Sequence, residues 1–138
     1  MRSLLAAIGF SLASTALAQA GDAEVKAAQN TIEMQMDAFR AGDGVRAYSY
    51  AAPTIQNIFR TPDLFMSMVT NGYPPIRNPQ QYSFGAVEEA ANGTIAQRVM
   101  VTGPDGKEYE ALYQLQRQPD GMFRIIGVSL KAANTIGA

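Results

Sequence analysis

The chain contains neither cysteine nor histidine. Without cysteine there can be no disulfide and no thiol nucleophile. Without histidine the commonest general base and the commonest transition-metal ligand are both missing. Together the two absences cut hard against ordinary hydrolase chemistry. A dominant charge sign is lacking as well, with 11 basic residues against 12 acidic ones. That balance leaves no footprint for nucleic acid or for an anionic membrane surface. Long apolar runs are absent beyond the first twenty residues, and so are repeats, low-complexity tracts and any dividing linker.

What is present begins with a leader-like N-terminus. Arg2 precedes residues 4–18, which hold only Leu, Ala, Ile, Gly, Phe, Ser and Thr. Ala16-Leu17-Ala18 and Ala18-Gln19-Ala20 both fit the small-x-small rule for cleavage. A charged start, a short apolar core and small residues at its end predict a secretory signal peptide over residues 1–20. A membrane span needs about 20 predominantly apolar residues, more than this core supplies. Cleavage removes Arg2 and no acid, leaving 10 basic residues against 12 acidic ones. The expected product is a single domain over residues 21–138, periplasmic or secreted, with no membrane attachment after cleavage.

Residues 82–130 read as four strands joined by three tight turns. Asn92-Gly93 supplies the two residues tolerant of positive φ that a two-residue hairpin needs. Gly103-Pro104-Asp105-Gly106 and Pro119-Asp120-Gly121 are turn sequences of the Pro-Asp-Gly kind. Between them the chain alternates. Ile95, Gln97, Val99 and Val101 share one face, as do Tyr109, Ala111, Tyr113 and Leu115. Glu108 and Glu110 fall on the opposite, solvated face.

The first half is helical. Asp22 is positioned to cap a helix whose stripe is Val25, Ala28, Ile32, Met36 and Phe39. Ala41-Gly42 ends it and Asp43 caps the next. Pro53 opens a short helix, and Thr61-Pro62-Asp63 starts another that should bury Leu64, Phe65, Met68 and Val69. Tyr73 to Gln80, with three prolines, reads as an extended connector. Helices followed by an antiparallel meander make an α+β order.

Two levels of resemblance emerge. Phe39-Arg40-Ala41-Gly42-Asp43 and the strand Asp120-Gly121-Met122-Phe123-Arg124-Ile125-Ile126-Gly127 resemble the nuclear-transport-factor-two-like (cystatin-like) superfamily. That likeness implies N-terminal helices packed on a curved four-stranded meander, cone-shaped around a pocket. More narrowly, Ala51-Ala52-Pro53-Thr54-Ile55-Gln56, Phe65-Met66-Ser67-Met68-Val69 and Gly72-Tyr73-Pro74-Pro75 are similar to a bacterial domain-of-unknown-function family, number 4864. Ketosteroid isomerases in the superfamily use an Asp base with a Tyr in the oxyanion hole. Here tyrosines are present, but no acid occupies an inward strand position.

Candidate ligand-binding residues are Tyr48, Gln97 and Tyr113, all expected to point between helices and sheet. A buried Gln needs partners for its amide, which a pocket or a neighbouring Tyr supplies. The expected cleft accepts a small, mostly apolar molecule with one or two hydrogen-bonding groups. No catalytic residue, metal ligand or cofactor is assigned. The Met34/Met36 and Met66/Met68 pairs are no copper site, because i and i+2 lie on different helix faces. On the last strand, Phe123 and Ile125 alternate with Met122, Ile126, Val128 and Leu130, giving apolar residues on both faces. The second face is expected to meet another copy in a homodimer, or to be covered by residues 131–138. The function expected is a non-catalytic small-molecule-binding or protein-interaction module. An isomerase- or dehydratase-like enzyme, or a structural homodimer with a filled core, is the alternative.

Overall fold

The computed structural model describes residues 2–90 and 92–133, with side chains from Gly21 onward. The predicted leader's side chains and residues 134–138 lie outside that description. Five helices precede four strands: α1 (Arg2–Ala41), α2 (Gly44–Ser49), α3 (Pro53–Ile58), α4 (Pro62–Gly72), α5 (Pro74–Arg77), β1 (Gln81–Glu89), β2 (Ile95–Thr102), β3 (Glu108–Arg117) and β4 (Phe123–Ala132). The strands pair antiparallel in chain order, so β1 and β4 are the edges of an open sheet. This is the expected α+β arrangement, with the helices packed on one sheet face.

Local chemistry sets the helix boundaries. The Asp43 carboxylate accepts from the Arg46 amide at 3.1 Å, and the Thr61 hydroxyl accepts from the Leu64 amide at 3.1 Å. Both satisfy an orphan donor of a first turn. Three expectations fail here. Asp22 starts no helix, because α1 already runs through it from Arg2; the Leu- and Ala-rich residues before it favour helix and include no proline. Tyr73 to Gln80 is not fully extended, because Pro74 and Pro75 open α5, where a missing N–H costs nothing. Leu64 is also not buried; α4 turns Phe65 and Val69 inward instead.

The core lies between α1 and the sheet. Ala28, Ile32, Met36 and Phe39 of α1 meet Ile95, Val99 and Val101 of β2 and Ala111, Tyr113 and Leu115 of β3. The turn glycines Gly93, Gly106 and Gly121 all have φ near +80°, at 83, 79 and 87°. A side chain there would be strained, so the turn sequences dictate the meander.

The two-faced pattern of β4 has a specific cause. Leu115 pairs with Ile125, yet Gln114 pairs with Gly127 and Tyr113 with Val128. Ile126 is thus an extra residue, a β-bulge that reverses the alternation after it. Val128 and Leu130 thereby share the face of Tyr113 and Ala111, and both pack against the core. They do not lie on the outer face. Arg98, Glu110 and Lys131 do, with Glu110 bridging Arg98 at 2.9 Å and Lys131 at 3.5 Å. The alternation that suggested an outer-face homodimer is therefore explained within one chain.

Candidate functional site

Beside the packed core, the small helices and β4 enclose an open apolar cavity of about 290 Å³. Gln35 and Phe39 of α1 form one wall, and Phe65, Met68 and Val69 of α4 another. Ala51, Ile55 and Phe59 close it from the α2–α3 side, with Tyr73 and Ile76 from the α5 side. The sheet contributes Ile125, Gly127 and Val128, the residues flanking the bulge. A bulge bends the strand that carries it, and Gly127 adds no side chain to fill the space.

Short hydrogen bonds pin the walls. The Ala52 amide donates to the Ile125 carbonyl at 2.8 Å, and the Ile125 amide donates to the Tyr50 carbonyl at 2.9 Å. These tie the α2–α3 stretch to the edge of β4. The Tyr73 hydroxyl donates to the Val128 carbonyl at 3.2 Å, fastening the start of α5 to the same edge. The Gln35 amide nitrogen donates to the Ala47 carbonyl at 3.0 Å. Among the described residues no Asp, Glu, Lys or Arg side chain lines the cavity. Such a surface can hold an apolar molecule, but it offers no carboxylate to move a proton.

The three residues singled out in the sequence lie elsewhere, and none lines this cavity. Gln97 and Tyr113 are brought together as directly opposed residues on β2 and β3, both fully buried. Gln97 is saturated: its carbonyl accepts from Gln29 at 2.9 Å, while its nitrogen donates to the Gly85 and Arg98 carbonyls at 3.0 and 2.8 Å. Gly85 belongs to a second register break, between Phe84 and Val87 of β1. Gln97 thus satisfies a backbone carbonyl that a bulge releases. Its partners are neither Tyr48 nor Tyr113.

Tyr113 presents the opposite case. Its hydroxyl is buried with no hydrogen-bond partner among the described residues, and burial holds its proton well above the ordinary tyrosine range. Tyr48 stands apart from both. Its hydroxyl donates to the Phe59 carbonyl at 2.6 Å, and its ring meets Phe65 edge-on at 5.5 Å. It supports two cavity-wall residues from behind.

Sequence reasoning missed Gln35, which sits among the apolar positions Ile32, Met36 and Phe39. A buried-stripe position occupied by Gln was the available signal. Tyr73 is among the tyrosines that the sequence offers as pocket-lining residues, but it was not carried into the candidate set.

The family model described as "Domain of unknown function (DUF4864)" matches residues 21–138. The chain belongs to this family. The match spans every residue that builds the cavity. No curated protein and no solved structure matches the chain.

Proposed function

We propose that this DUF4864 chain is an exported, non-catalytic module that binds one small, mostly apolar molecule between α4 and β4. The observation that carries this reading is the open cavity of about 290 Å³, walled almost wholly by apolar side chains. An engineered apolar cavity of about 150 Å³ takes up benzene, so this one is large enough for a bigger guest. The lack of a carboxylate or basic side chain on its walls favours holding over turnover. Export is supported by the signal-like residues 1–20 and by a family match that begins at residue 21. Among the described residues no helix is long and apolar enough to cross a membrane.

A screen of small apolar compounds by thermal shift tests the binding reading, since a ligand of the folded state raises its apparent stability. Val69→Phe should fill the cavity and abolish the shifts given by wild-type hits. Hits that stabilise Val69→Phe equally would refute the assignment of the site. For export, intact mass should show a chain beginning at Gln19 or Gly21; retained Met1 on exported material would contradict it.

A further inference from the structure

Gln35 is 4 % exposed, and its amide is only half used. A glutamine amide carries two donors on nitrogen and acceptor capacity on oxygen. Its orientation is fixed here, because the Ala47 carbonyl can only accept and so must face Nε2, at 3.0 Å. Oε1 therefore points away from Ala47. Among the described residues no N–H or O–H donates to it. Nor is it sealed in, since among the described residues the enclosed side-chain polar atoms without a partner are Arg77 Nε and the Tyr113 hydroxyl. An unpaired atom that is not enclosed must border open space. The open space that Gln35 borders is the cavity. The other polar side chain on the walls, Tyr73, already donates to the Val128 carbonyl.

We propose that Gln35 Oε1 selects the ligand, accepting a hydrogen bond from the hydroxyl or N–H of a neutral, otherwise apolar molecule. The inference rests on the binding reading above and narrows it to a chemical class: alkanols, alkylphenols and similar single-donor compounds. A buried acceptor left unpaired by a donor-free ligand keeps its desolvation penalty, which disfavours that ligand. Carboxylates are disfavoured more strongly. A fatty-acid anion brings only acceptors, and among the described residues no Lys or Arg lines the cavity to neutralise it.

The test is a matched panel measured by calorimetry on the full chain: 1-hexanol, 4-ethylphenol and 4-propylphenol, each against its methyl ether, with hexanoate added. Methylation removes the donor and leaves the apolar body in place. Wild type should bind each hydroxyl compound about tenfold more tightly than its ether, with hexanoate weakest. In Gln35→Met the alcohol–ether ratio should fall to within about twofold, because the acceptor is gone. The wild-type comparison stands alone if that variant does not fold. Ethers binding as tightly as alcohols, or an undiminished preference in Gln35→Met, would overturn the role of Gln35 while leaving binding intact. If no member of any pair binds, the binding reading and this inference fall together.

Discussion

Two buried glutamines divide this molecule into a closed region and an open one. Gln97, between β1 and β3, makes contacts at both ends of its amide with Gln29 and strand carbonyls. Gln35, one layer away on α1, uses only its nitrogen. Both are almost completely buried, so burial alone does not distinguish them. What differs is the hydrogen-bonding capacity left over. A saturated amide is part of the scaffold; a half-used one beside a cavity is a place for something else. The contrast extends to their surroundings, with well-filled strands around Gln97 and an incompletely filled space beside Gln35.

The largest effect should come from removing the saturated amide. Gln97→Leu deprives Gln29 and a bulge carbonyl of β1 of their partner at once, and should cost about 3 kcal/mol, read as a lower urea midpoint. A loss below about 1 kcal/mol would erase the distinction between the two glutamines.

Tyr113→Phe should act in the opposite direction. Deleting a buried hydroxyl without a partner should raise stability by about 1 kcal/mol at neutral pH. It also carries a pH signature. The folded state keeps the phenol protonated, while the unfolded chain releases it near pH 10.0. This titration therefore leaves stability unchanged below that pH and lowers it above, by up to about 1.4 kcal/mol per pH unit. Denaturation at pH 9 and pH 11 should show a shallower alkaline loss in Tyr113→Phe than in wild type.

Gln35→Met should have the smallest effect on stability, about 1 kcal/mol or less, as judged by the urea midpoint. The Ala47 carbonyl keeps a second donor in the Tyr50 amide, at 3.3 Å. A loss equal to that of Gln97→Leu would make Gln35 scaffold as well.

Much of this fold was legible because its signals are local. A turn needing positive φ names its own glycine, and Asp43 and Thr61 cap helices through neighbours three residues on. The inward faces of β2 and β3 followed from strict alternation. The bulge at Ile126 did not, because register depends on which residues β3 offers opposite β4. That one extra residue turned Val128 and Leu130 to the other face and made the last strand look as if it needed a second copy. The cavity was hidden for the same reason. Its walls come from α1, the α2–α3 stretch, α4, α5 and β4, and no local pattern reports a space that several elements fail to fill. Gln97 and Tyr113 are buried in the core while Tyr48 stands apart, and an inward direction does not separate a wall from a core.

The most direct test of the central claim is to locate the bound molecule. Methyl-labelled protein titrated with 4-ethylphenol should show shifts at Ile55, Met68, Ile76 and Val128, which line the cavity. Val99 and Leu115, packed in the closed core, should stay in place. Saturable shifts confined to the first group are the predicted result. Shifts centred on the second group, or none at any concentration, would contradict it.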